Sequence, residues 1–205
     1  MNSDPQLAQD LISVGVPTLH EANHRRGLMT LMRILVGDAF AGPAQTVALP
    51  AGDNLGIHVA LEQAAAGSVL CIASAGKGLY GVVGELLVEA ARARRLAAVV
   101  IYDGLRDIEH LQPPPTIAAL GVSSRGTTKG RFVSIAQPIA IDHVLIRPGD
   151  WVVGDRNGVC VVGAESLTAV IASAKARRDH EDGLREQIRQ GIPTTQLLGL
   201  RATRN

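Results

Sequence analysis

The spacing of apolar residues changes period several times along the chain, and the changes mark its elements. Residues 6–13 carry a weak helical pattern, and Pro17-Thr18 opens a short helix that Arg25-Arg26-Gly27 closes. Small residues at Ala41-Gly42-Pro43-Ala44 lead into an apolar strand ending at Leu49. Gly52-Asp53-Asn54 reads as a turn with a helix N-cap, followed by a helix over 55–66 that Gly67 ends. His58 falls within that helix as a lone histidine and receives no role.

Residues 68–107 form the centre of the pattern. An apolar run at 69–73 precedes a glycine-broken loop, a helical stretch over 85–95, a second apolar run at 97–102 and a polar turn. Both runs are continuously apolar, as strands covered on both faces require, so the segment predicts a βαβ unit with parallel strands. Beyond it, residues 108–111 can make one more helical turn, and Pro113-Pro114-Pro115 forces an extended segment. A Ser/Gly/Thr-rich loop covers 122–131, where Arg125 and Lys129 read as solvated charge. Strands follow at 132–137, 139–146, 151–154 and 158–162, with turns at Arg147-Pro148-Gly149-Asp150 and Asp155-Arg156-Asn157-Gly158. Residues 164–189 return to helical spacing. This β-rich second half excludes a plain doubly wound sheet and predicts a layered α/β single domain with a mixed sheet.

The βαβ unit carries the candidate chemistry. A right-handed crossover places the carboxyl ends of both strands, and the N-terminus of the helix between them, on one sheet edge. The loop ending at Gly84 therefore faces Asp103-Gly104-Leu105-Arg106-Asp107. One side offers free backbone N–H groups and the positive end of a helix dipole; the other offers a guanidinium and carboxylates. That set suits a small carboxylate together with a divalent cation.

Two motifs compete. Gly76-Lys77-Gly78-Leu79-Tyr80-Gly81 fits the G-x-G-x-x-G dinucleotide fingerprint, with Asp103 ending the next strand, which would suit a nicotinamide oxidoreductase. Against it, Val82, Val83 and Gly84 separate the last glycine from the helix. His20-Glu21-Ala22-Asn23-His24 is a literal H-E-x-x-H zinc motif, but its helix is short and no third ligand stands near it, so exposed polar residues are the favoured reading.

Composition narrows the classes. The 205 residues hold 20 basic and 19 acidic side chains and no basic stripe, and aromatics are only 2%, so nucleic acid is not an expected partner. Cys71 and Cys160 lie in apolar runs and read as buried, reduced thiols. The first residues lack a secretory pattern and no apolar run approaches the roughly 20 residues of a membrane span, so a cytoplasmic location without a membrane partner is expected.

Gly52-Asp53-Asn54-Leu55 with Ile57-His58, then Gly84-Glu85-Leu86-Leu87, Asp103-Gly104-Leu105-Arg106-Asp107, and Pro148-Gly149-Asp150 with Asp155 and Gly158-Val159 resemble the 4-hydroxy-4-methyl-2-oxoglutarate aldolases. These class II pyruvate aldolases share their fold with the regulator of ribonuclease E activity, the RraA-like proteins. The resemblance covers residues 18–162 and implies a layered α/β/β fold of the swivelling β/β/α kind.

It further implies that Gly84, Glu85, Leu86 and Leu87 hold pyruvate through backbone amides, that Arg106 binds substrate, and that Asp107 ligates Mg²⁺ or Mn²⁺. Val83 stands where the family often has a glycine. The C-terminal helix and tail, 164–205, would reach a neighbouring subunit of a trimer or hexamer, with Glu181 or Asp182 orienting metal-bound water and Asp103 behind the site. Cleavage of a 4-hydroxy-2-oxo acid and decarboxylation of oxaloacetate pass through the same enolate, so both activities are expected. No histidine is convincingly placed as the base, which leaves metal-bound water, oriented by Glu85 or an acid of the next subunit. A non-enzymatic ribonuclease regulator is the alternative.

Overall fold

A computed structural model describes residues 4–76 and 78–201. Helix α1 (Pro5–Val14) is capped by Asp4, whose carboxylate accepts from the Gln6 and Leu7 amides, and α2 (Val16–Ala22) follows directly. The strands are β1 (Leu28–Met29), β2 (Arg33–Val36) and β3 (Phe40–Leu49); α3 (Leu55–Glu62) leads to β4 (Val69–Ser74) and β5 (Gly81–Val83). Helix α4 (Glu85–Ala93), β6 (Ala98–Leu105), a 3-10 turn (Ile108–His110) and β7 (Thr116–Val122) complete the middle of the chain. The rest is β8 (Ser134–Ile135), β9 (Ile139–Ile141), β10 (Val144–Ile146), β11 (Trp151–Asp155), β12 (Gly158–Val162), α5 (Leu167–Arg189) and α6 (Thr194–Leu197).

One mixed sheet runs β1-β12-β11-β3-β4-β6-β7-β2, with β5 added beside β6 and β8 beside β3. Its centre, β3-β4-β6-β7, is parallel, and its flanks are antiparallel. The predicted βαβ unit is β4-α4-β6, with Val69 to Ala73 registered against Ala98 to Tyr102.

Three apolar clusters explain the layering. On one face Leu70, Ile72, Val99 and Ile101 pack against Ile57 and Leu61 of α3 and Leu87, Val88 and Ala91 of α4. On the other, Val69, Cys71, Val100 and Ala118 meet Ile139, Ile141 and Ile146 of the β9–β10 hairpin and Val152, Val159 and Val161 of β11 and β12. The sheet therefore curls until its two ends face each other, giving the α/β/β layering. The third cluster covers the outside of β11 and β12 with α1, α2 and the first half of α5. Both cysteines are free and buried, as expected.

Several elements depart from the sequence reading. Helix α3 stops at Glu62, and Gly67 closes a turn instead, its amide donating to Arg95 O. The expected loop before α4 contains β5, and the expected polar turn 103–107 is largely strand, since β6 runs to Leu105. Both follow from pairing: β5 is too short to announce itself, and it exists because β6 extends far enough to hold it. The extended segment after the prolines is β7, a fourth parallel strand. Residues 139–146 form a hairpin rather than one strand, turning at Asp142 and His143, both at positive φ. Of residues 132–137 only Ser134–Ile135 pairs.

Candidate active site

The floor of the candidate site is built from glycines that let the backbone come close. Gly84 caps α4, and a Cβ there would lie 2.4 Å from Asp107 Oδ2 and 2.8 Å from Arg106 Nε. A Cβ on Gly81 would lie 2.5 Å from Ser123 O and 3.0 Å from Arg106 Cβ. The two positions lie against the Arg106 side chain, and any larger residue would displace it. Arg106 N donates to Val83 O at 3.0 Å, which fixes the loop after β6 to the end of β5.

Asp107 adopts the left-handed conformation (φ 60°, ψ 30°), one that aspartate tolerates better than most residues. Its Oδ2 accepts from the Glu85 amide at 3.3 Å and lies 3.4 Å from Arg106 Nε. The Leu87 and Val88 amides already donate to Gly84 O. Among the described residues, the first-turn amide left for a ligand is that of Leu86. The backbone clamp expected of Gly84, Glu85, Leu86 and Leu87 thus presents the Leu86 amide from its helical turn, beside the helix dipole and Arg106.

These groups border a cavity of about 190 Å³ lined by Asn54, His58, Gly81, Gly84 to Leu87, Arg106, Asp107 and Lys129. The structure thus brings together Gly84, Glu85, Leu86, Leu87, Arg106 and Asp107. It also adds three side chains that the sequence reading left out. Asn54 holds the N-cap position of α3 but makes no side-chain capping bond; the Leu55 amide donates instead to Asp53 Oδ1 at 2.9 Å. Asn54 instead donates through Nδ2 to Val82 O at 3.0 Å, and its Oδ1 is buried without a partner. His58, one helical turn on, buries Nε2 without a partner. Burial, and then the charge of Lys129, hold its imidazole below the usual histidine value. The one available signal was spacing: Asn54 and His58 are four apart and share a helix face.

The remaining site candidates lie elsewhere. Asp103 is buried behind β5, where Oδ1 accepts from Tyr80 N at 2.6 Å and Gly104 N at 2.9 Å. Glu181 pairs with Arg177 and Arg185, and Asp182 with Arg185, all on α5; neither lines the cavity of this chain. Arg125, read as solvated charge, lies over the Tyr80 ring at 4.0 Å. The zinc motif fails because α2 ends at Ala22 and His24 lies outside it at φ 55°. The dinucleotide motif fails because β5 intervenes between its glycines and α4; its Lys77 lies outside the described residues.

Asp107 offers hard carboxylate oxygen, and Glu85 stands beside it in the cavity wall. Among the described residues no group of three or more His, Cys, Asp or Glu forms a cation cage. The donors fit Mg²⁺ or Mn²⁺ of the kind held by one or two carboxylates, with the rest of the shell filled by water and ligand.

The layered α/β/β domain thus gathers a helix N-terminus, an arginine and an oxygen-donor carboxylate at one sheet edge. The chain belongs to the RraA-like family, Aldolase/RraA, whose pattern matches residues 10–161. It is 31% identical over 161 residues to a Halalkalibacterium halodurans protein named "Putative 4-hydroxy-4-methyl-2-oxoglutarate aldolase", covering 77% of this chain and 75% of that one. A Burkholderia mallei protein of the same name is 36% identical over 124 residues, 60% of this chain and 74% of its own length. Among solved structures, Streptomyces coelicolor RraAS2, described as an unusual member of the RNase ES inhibitor RraA protein family, superposes with a TM-score of 0.80. That match is at 25% identity and covers 90% of this chain and 98% of that one. No helix among the described residues is long and apolar enough to cross a membrane.

Proposed function

We propose that the protein is a divalent-metal-dependent lyase that cleaves 4-hydroxy-4-methyl-2-oxoglutarate, or a related 4-hydroxy-2-oxo acid, to pyruvate, and that it also decarboxylates oxaloacetate. The observation that carries this reading is the convergence of Arg106, Asp107 and the open end of α4 on one 190 Å³ cavity. The names of its relatives support the substrate class.

The substrate carboxylate is held by the Leu86 amide, the α4 dipole and Arg106. Breaking C3–C4 sends its electron pair toward the C2 oxygen, and Arg106 presents a fixed positive charge to that developing oxyanion. A divalent cation held by Asp107 would supply Lewis acidity for the enolate. Glu85 remains a candidate catalytic acid at the rim. Asp103 acts from behind, by fixing the strand on which Arg106 rests. A homo-oligomer, trimeric or hexameric, would bring Glu181 or Asp182 of one copy toward another.

The test is pyruvate release from both compounds with Mg²⁺, with EDTA, and with Asp107→Ala. The reading expects turnover that requires metal and falls by at least about a hundredfold in the variant. Folded, metal-supplied protein that releases pyruvate from neither compound would sink it and bring the ribonuclease regulator forward.

A further inference from the structure

Part of the cavity lining is unexplained by carboxylate and metal binding. It is formed by Asn54, His58 and Lys129. Asn54 Oδ1 and His58 Nε2, on two of the lining residues, are both buried and without a protein partner, an arrangement that costs stability unless a ligand or water completes it. Asn54 is only 6% exposed, and its Nδ2 bond to Val82 O fixes which atom is left open. Lys129 has no carboxylate partner among the described residues.

We infer that His58 is the general base of carbon–carbon cleavage, taking the proton of the substrate's C4 hydroxyl on Nε2, with Asn54 and Lys129 orienting the substrate beside it. This assignment rests on the proposed lyase function. The step balances without a further reactant. His58 Nε2 gains the hydroxyl proton, the C4–O bond becomes a carbonyl, C3–C4 breaks, and its electron pair forms the enolate of pyruvate. The enolate carbon then takes a proton, which the imidazolium can return.

A base must be unprotonated before reaction, and the surroundings of His58 favour that. Burial works against the charged ring, and Lys129 adds repulsion from the loop after β7. The other charged groups around it are Arg106, Asp107 and Glu85 on the cavity side. Glu62 of α3 and Arg94 beside α4 border a depression of about 150 Å³ that the same ring also lines. The imidazole thus separates the cavity from an outer depression.

Oxaloacetate provides the discriminating substrate, because it has no C4 hydroxyl proton to remove and yields the same enolate by losing CO₂. The experiment measures both activities in the metal-loaded wild type, His58→Gln and Lys129→Met. General-base loss predicts that His58→Gln lowers kcat for aldol cleavage by about 10²- to 10⁴-fold while decarboxylation stays within about threefold, which also reports that the variant is folded. Lys129→Met removes repulsion from the imidazolium, so the acid limb of the kcat/KM profile for cleavage moves to higher pH. Equal loss of both activities in His58→Gln, or loss of neither, overturns the assignment. Absence of both activities from the wild type overturns the lyase function itself, and the base with it.

Discussion

At the scale of single residues, the site depends on what is missing from Gly84 as much as on what is present at Arg106 and Asp107. Gly84 sits at φ −141°, ψ −171°, extended backbone that any residue can adopt, so its requirement is one of space rather than conformation. The atoms in the way of a methyl group are Asp107 Oδ2 and Arg106 Nε, which are flexible side-chain ends. Gly84→Ala is therefore expected to fold normally, with a thermal midpoint close to wild type, and to lose pyruvate-releasing activity by about a hundredfold because the acid and guanidinium must swing aside. A variant with both stability and activity intact would show that neither group acts from the position observed. The family motif made Gly84, Arg106 and Asp107 legible in the sequence. Asn54 and His58 stand in the same motif, but their four-residue spacing was the one sign that they share a face, and Lys129 lies in a Ser/Gly/Thr-rich loop that gives no local sign of facing a cavity.

At the scale of elements, β5 is the part that assembles the site. It is three residues long and held on every side: by pairing with β6, by Asn54 Nδ2 on Val82 O, and by Asp103 on the Tyr80 amide next to it. Asp103→Ala leaves the Tyr80 N–H without its acceptor, at a cost of about 1–3 kcal/mol. Its expected result is a lower thermal midpoint together with reduced activity, since Arg106 N bonds to Val83 O of the same strand. Asp103→Asn keeps a carbonyl acceptor, and one carboxylate oxygen of Asp103 is buried without a partner in any case, so that variant should stay close to wild type in both measurements. A fall as large as alanine's would instead mean that the charge of Asp103 matters. The βαβ unit was readable from two apolar runs and a helical stretch. Strand β5 was not, because Gly81-Val82-Val83 lies within a glycine-rich loop and gains strand structure only through its partner.

At the scale of the whole molecule, Asp53 ties the loop that carries Lys129 to the start of α3. Burial alone would raise its pKa, but hydrogen bonds from Leu55 N, Gly130 N, the Thr128 hydroxyl and Arg131 N overcome that effect and hold it down to about 2. A carboxylate whose folded value is depressed stabilises the fold above its unfolded value and loses that contribution as pH falls through the folded one. The thermal midpoint of the wild type should therefore decline between about pH 4 and pH 2, and Asp53→Asn should start lower at neutral pH and decline less steeply over that window. Parallel curves for the two proteins would place the acid sensitivity in other carboxylates.

The sequence by itself determined the family, the central βαβ unit, the turn between β11 and β12 and the acid-and-arginine pair. Each is written in local terms: apolar period, turn chemistry, or a contiguous motif. Tertiary structure alone decided that β7 joins the parallel centre, that the sheet curls to bury Val152 and Val161 against Val69 and Val100, and that α3 lends His58 to a cavity whose other wall comes from β6 and α4. Those outcomes depend on which distant segments meet. Pairing and burial between residues far apart in the chain leave no periodic trace at either position, so they appear only once the chain is folded.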